Sequence, residues 1–261
     1  MRIEPIESGR TEFLGLGFDP LGADQVLARL AKVGNETPYG FVVTPNVDHI
    51  VRLHDDAELR GQLIPAYGDA DLCLCDSKIL GLLARARGIL LPVVPGSELT
   101  RLMFERVIRS GDRVAIVGGD AALLRGLEDK YKGIDFVQHC PPMGLRRDSA
   151  ARTAAAKFVA RSGARFTFIA VGSPQQEMIA AEAKAIAGAK GIALCVGASL
   201  EFLTGRQKRA PRLAQQLGLE WAHRLLSDPR RLWRRYLLEG PRVFLLTYRW
   251  PGPPRHRPAS K

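Results

Sequence analysis

The sequence predicts an α/β protein: a mostly parallel sheet with helices on both faces, followed by a basic helical appendage. Three observations predict it. Short apolar runs alternate with amphipathic stretches of helical length from residue 41 to residue 196. Most of those runs end in a Gly, Pro, Asn or Asp turn that leads directly into a helix signal. Beyond residue 204 the strand signals stop and the charge balance changes sharply. Alternation of this kind makes the sheet Rossmann-like.

The elements follow in order. Phe13, Leu14, Leu16 and Phe18 predict an entry strand, and 23–33 an amphipathic helix. Phe41, Val42 and Val43 predict a buried strand that Thr44-Pro45-Asn46 breaks. Val47, Ile50, Val51 and His54 then recur at helical spacing. Residues 57–67 predict a helix, 71–75 a strand, and 78–87 a helix after Asp76. Residues 90–94 are extended up to Pro95-Gly96, and Ser97 opens a helix to 109. A strand over 113–117 runs into Gly118-Gly119 and a helix to 131, and 134–138 is the next strand. Pro141-Pro142-Met143-Gly144 marks a loop before an alanine-rich helix over 150–161. The strand over 165–171 ends in Gly172-Ser173-Pro174, a helix covers 175–187, and 192–196 is the last strand. Residues 212–226 and 229–238 read as helices and 243–250 as a third piece. The chain thus divides into an α/β core (1–204), a helical appendage (205–250) and a disordered tail (251–261).

With 261 residues there is room for one large domain plus an appendage. A hydrophobic fraction of 46% and a charged fraction of 25% are those of a soluble globular protein. No apolar run approaches the length of a membrane span. The first residues carry early acids and no hydrophobic stretch, so no secretory signal is expected and the expected location is cytoplasmic. Cys73, Cys75, Cys140 and Cys195 form no CxxC and match no zinc spacing. Cys73, Cys75 and Cys195 lie in apolar runs and read as reduced, packed cysteines. His49 and His54 are five apart, the wrong spacing for a helical metal face, so no metal site is expected.

Residues 1–204 carry 24 basic and 24 acidic side chains, so the whole net charge of +11 lies in 205–261. Such asymmetry points to an acidic partner: nucleic acid, anionic lipid or phosphate. There the arginines interleave with Leu213, Leu217, Trp221, Leu225, Trp233, Tyr236, Phe244 and Trp250. Two readings stay open: an amphipathic surface on an anionic membrane, or core aromatics beside a solvated basic face. Nucleic-acid binding is the alternative function. The interleaved aliphatics and the lack of a nucleic-acid motif argue against it.

Chemistry is expected at the carboxyl ends of the strands, where open α/β sheets bind ligands. Thr44 and Asn46 lie at one end, Asp76 at a second, and Ser173, Gln176 and Glu177 at a third. Thr44 and Asn46 also suit helix capping. Asp76 suits either a general base or a helix cap. Gly118-Gly119 and Pro95-Gly96-Ser97 are candidate phosphate turns. Neither is a GxGxxG or P-loop fingerprint, which argues against a nucleotide-dependent oxidoreductase.

Several stretches together resemble the WecG/TagA/CpsF bacterial glycosyltransferases. They are TPNVDH, ADLCLCDS, PGSELT, VAIVGG, VGSPQQE and a long run from CVGASLEFL to LWRRY, in the family's order, spanning about residues 40–244. The resemblance implies an inverting transfer from a UDP-sugar to a lipid-diphosphate-linked saccharide at the cytoplasmic membrane face, without a metal. It assigns the base to Asp76, active-site roles to Thr44 and Asn46, and a binding role to Gln176. It also implies that the basic appendage closes over the site and meets the membrane. Its arginines are drawn from Arg224, Arg230, Arg231, Arg234 and Arg235. Physical chemistry fits those roles. The departing diphosphate needs cations or amides, and guanidinium pairs bidentately with phosphate oxygens. Donor contacts are expected from Gly96, Ser97, Gly118, Gly119, Ser173, Arg224, Arg231 and Arg234. There are two departures from the family pattern. Ser77 replaces a glycine, and Val93 stands where an arginine is usual, near Arg85, Arg87 and Arg101. They point to a subgroup such as the exopolysaccharide branch resembling the xanthan-type GumM enzymes. Donor sugar, acceptor, linkage and oligomeric state are not encoded legibly.

Overall fold

The computed structural model describes residues 9–207, 211 and 220–253, without the side chains of 220, 224 and 231. The first element among the described residues is a tight hairpin, where one strand was expected. β1 (Thr11–Phe13) pairs antiparallel with β2 (Leu16–Phe18). Leu14 and Gly15 at the tip have φ of 51 and 80, the left-handed conformation that matches the twist of paired strands. Leu14 is an unusual residue for that conformation, and its side chain is buried. No Asn-Gly or Asp-Gly marks the turn, so hydrophobic pattern alone merges the two strands.

The main sheet has six strands: β3 (Gly40–Val43), β4 (Leu72–Cys73), β5 (Arg113–Val117), β6 (Asp135–His139), β7 (Phe166–Ile169) and β8 (Ile192–Cys195). Their order is β4-β3-β8-β7-β5-β6 and every pairing is parallel. Val93 adds a single parallel bridge to Cys75 beyond β4. The helices are α1 (Ala23–Ala31), α2 (Val47–Asp55), α3 (Ala57–Asp69), α4 (Lys78–Ala86), α5 (Gly96–Leu102), α6 (Ala121–Lys130), α7 (Ser149–Arg161), α8 (Gln175–Lys184) and α9 (Ser199–Leu203). A π turn, Met103–Val107, continues α5.

Alternate strand residues feed two apolar layers. Phe41, Val43, Cys73, Ala193 and Cys195 face one, with residues of α2, α3 and α8. Val42, Leu72, Ile192 and Leu194 face the other, with residues of α1 and α5. Burial on both faces explains why these strands read as continuous apolar runs. Cys73, Cys75 and Cys195 are free and buried, as expected. Burial pushes the Cys75 thiol up to about 12.

The appendage contains α10 (Glu220–Ser227), α11 (Pro229–Trp233) with a π turn (Arg234–Glu239), and α12 (Arg242–Arg249). The helix expected over 212–226 is described only from 220, and the tail expected to be disordered lies outside the described residues from 254 onward. The core reading holds for one part of the appendage. Val243, Thr247 and Trp250 are buried. Trp250 packs edge-on against Phe13 at 5.1 Å, and Arg87 donates to its carbonyl at 2.6 Å. Leu226, Trp233, Leu237, Leu238, Phe244, Leu245 and Tyr248 are exposed.

Candidate active site

Parallel strands bring their carboxyl ends to one edge, and most of the predicted polar residues meet there. Thr44 ends β3. Its hydroxyl donates to the Cys195 carbonyl at 3.1 Å, tying β3 to β8. It is therefore not a helix cap. Asn46 is: its Oδ1 accepts from Asp48 N at 3.0 Å at the start of α2. Between them, the Pro45 carbonyl accepts from Asp76 N at 3.1 Å, so the turn is joined to the residues after β4. The cap of α4 is Ser77, whose hydroxyl accepts from Leu80 N at 3.3 Å. Asp76 lies one residue before that cap, so the capping alternative for Asp76 is replaced by Ser77.

The β8 and β7 ends add further groups. Buried Gln176 accepts from Gly197 N at 2.9 Å and donates to Glu177 at 2.8 Å. The start of α5 sits on the same edge. A Cβ on Gly96 would stand 3.0 Å from Thr44 Oγ1, so only glycine allows this approach without displacement. Ser97 follows, half-buried. Gly118 has φ of 101, and a Cβ there would lie 3.0 Å from the Ala170 carbonyl oxygen. It therefore turns tightly beside the end of β7, with Gly119 after it. The Ser173 carbonyl accepts from Arg52 at 3.3 Å.

The appendage reaches this edge through Arg235, whose Nε lies 3.2 Å from Asp48 Oδ1. Arg234, expected to serve the site, is exposed and has no ion-pair partner among the described residues. The side chains of Arg224 and Arg231 lie outside the described residues. Sequence reasoning gave no role to Asp48, His49 or Arg52, one face of α2 above the turn. Arg52 lies 3.6 Å from Asp48, and buried His49 faces Glu177 at 3.7 Å. Asp48 and His49 stand in the TPNVDH stretch that carries the family resemblance, which gave roles only to Thr44 and Asn46.

A family model described as Glycosyl transferase WecG/TagA/CpsF family matches residues 11–257. The chain belongs to this family. The WecG/TagA/CpsF match covers both sheet and appendage, so the docked helices are part of what the chain shares with the family. No helix among the described residues is long and apolar enough to cross a membrane. Val93, expected from the resemblance to stand in place of an arginine, packs against Gly81. Of the arginines near it in sequence, Arg87 holds Trp250 and Arg101 pairs with Glu98 and Glu105. Among the described residues no three His, Cys, Asp or Glu side chains gather into a metal-binding group.

Burial holds the His49 imidazole below its ordinary pKa of 6.5, against the opposing pull of the Glu177 and Asp48 carboxylates. Arg235 and Arg52 push it further down. In the unfolded chain the ring takes up its proton first as pH falls. Its contribution to stability is therefore present above about 6.5 and lost as pH drops toward the folded value. Thermal midpoints should fall between pH 7.5 and 5.5, and His49→Gln should flatten that slope.

Proposed function

We propose that this glycosyltransferase moves a sugar, with inversion, from a UDP-sugar to a polyprenyl-diphosphate-linked saccharide in cell-surface polysaccharide biosynthesis. The observation that carries the reading is the joining of Asp76 to the Thr44–Asn46 turn at the carboxyl edge of the sheet, beside a basic appendage. The acceptor oxygen bonds to the anomeric carbon as the bond to the UDP oxygen breaks. Asp76 takes the acceptor proton as general base. Thr44 and Asn46 orient the reacting sugar. Gln176, Gly96, Ser97, Gly118, Gly119 and Ser173 contact the donor. Negative charge grows on departing UDP, and Arg224, Arg231 and Arg234, joined by Arg235, neutralise it. Arginine fills the role that a metal ion fills elsewhere, and the scheme needs no cofactor.

The enzyme works as a peripheral protein on the inner face of the cytoplasmic membrane. Exposed Trp233, Leu237, Leu238, Phe244, Leu245 and Tyr248 beside arginines support binding to anionic lipid, where a polyprenyl acceptor resides. The test combines purified protein, a short-chain lipid-diphosphate saccharide, a panel of UDP-sugars and EDTA. UDP release with one donor is the expected result. No release from any donor, by protein that binds anionic vesicles, would overturn the reaction. Binding to DNA or RNA but not to vesicles would favour the nucleic-acid alternative.

A further inference from the structure

Glu177 is 1% exposed, and no step of the transfer above uses it. One oxygen, Oε1, accepts from Gln176 Nε2 at 2.8 Å and stands 3.7 Å from His49 Nε2. The other, Oε2, has no hydrogen-bond partner among the described residues, and neither has His49 Nε2. A buried carboxylate and a buried ring nitrogen left unsatisfied are costly. At 3.7 Å the gap exceeds a hydrogen bond but leaves the two unsatisfied groups face to face, placed for an Nε2 proton directed at the carboxylate.

The other side of the ring determines what such a pair does. His49 Nδ1 lies 3.2 Å from Asn46 N and 2.9 Å from Asn46 Oδ1. These contacts require opposite states. The backbone N–H donates into a bare Nδ1, whereas Oδ1 accepts only from a protonated Nδ1. With its single proton on Nε2, facing the carboxylate, His49 holds the Asn46 backbone. Doubly protonated, it draws on the Asn46 carboxamide, which already caps α2.

We propose that Glu177 and His49 are a buried positioning pair: Glu177 keeps the His49 proton on Nε2, and His49 holds the Thr44–Asn46 turn beside Asp76. The same carboxylate orients Gln176, whose Oε1 receives the Gly197 N–H. One buried acid therefore sets polar groups at the ends of both β3 and β8. The other charged groups around the ring are Asp48 and Arg52 from α2 and Arg235 from the appendage. Arg235 pairs with Asp48, so docking of the appendage bears on the protonation of His49. The inference rests on Asn46 and Gln176 belonging to the active site.

The test has one arm without activity and one with it. Ring ¹⁵N spectra of His49 and the Asn46 backbone amide are followed through a pH titration in wild type and Glu177→Gln, an isosteric change. The expected wild-type form at neutral pH is Nε2–H. In Glu177→Gln the His49 midpoint should fall, because a carboxylate favouring the charged ring is gone, and the Asn46 amide should shift with it. Identical tautomer, midpoint and Asn46 shift in both proteins would overturn the pair. In the UDP-release assay, Glu177→Gln should lose at least about tenfold in kcat, with donor KM changed less than about twofold, the signature of an interaction made in the transition state. His49→Asn, whose amide occupies the Nδ1 position, should retain more kcat than His49→Leu. Wild-type kcat in Glu177→Gln and His49→Leu would overturn the positioning role. A responsive ring with no turnover on any donor would support the pair and sink the proposed reaction instead.

Discussion

Asp76→Asn is expected to slow UDP release by about 10²–10⁴-fold, the range a positioned general base contributes. Asparagine keeps the size of aspartate and cannot accept the acceptor proton. The backbone bond from residue 76 to the Pro45 carbonyl does not involve the side chain, and Ser77 continues to cap α4. Folding and donor binding should therefore survive, leaving a loss in kcat with little change in KM. Steady-state kinetics with the productive donor, and a melting curve of the variant, make the measurement. A loss smaller than about tenfold would remove Asp76 as the base and shift attention to the other carboxylates of this edge, Asp48 and Glu177.

Trp250→Ala is expected to cost about 3–5 kcal/mol, the usual penalty for deleting a large buried aromatic. The ring fills the space against Phe13, and Arg87 lies over it at 5.8 Å. The midpoint of thermal unfolding should drop by roughly 10 °C for a chain of this size. Trp233→Ala is the control. That ring is 45% exposed, so its loss should change stability by about 0.5 kcal/mol or less. Trp233→Ala should instead weaken binding to anionic vesicles, where an exposed Trp contributes at the interface. Equal stability of the Trp250→Ala variant and wild type in lipid-free buffer would mean that α12 does not rest on the core in solution.

These two tryptophans carry the same sequence signal. Both sit among leucines and arginines in the basic region, and neither periodicity nor composition separates them. The strands are the opposite case. The run over 113–117 was bounded by sequence to the residues of β5, because an apolar β-branched segment closed by Gly118-Gly119 has few other uses. The first hairpin was missed because its turn uses Leu14, a residue that does not announce a left-handed conformation. Thr44, Asn46, Asp76 and Gln176 were legible as polar residues after strands, and the structure gathers them at one edge of the sheet. Their partners were not legible. Sequence offered Arg224, Arg230, Arg231, Arg234 and Arg235 as a row, and only the fold brings Arg235 against Asp48. His49 lay off the apolar spacing of α2 and is buried all the same, because α8 carries Glu177 against it.

The sequence by itself determined the fold class, the family and the strand ends where polar groups collect. Local propensity, turn residues and motif order are written within short windows of chain. Tertiary structure alone decided the strand order, the Thr44–Cys195 tie across 151 residues, the Arg235–Asp48 contact and the sealed Glu177–His49 pair. Each joins segments far apart in sequence, and its energy exists only once burial has removed water from between them.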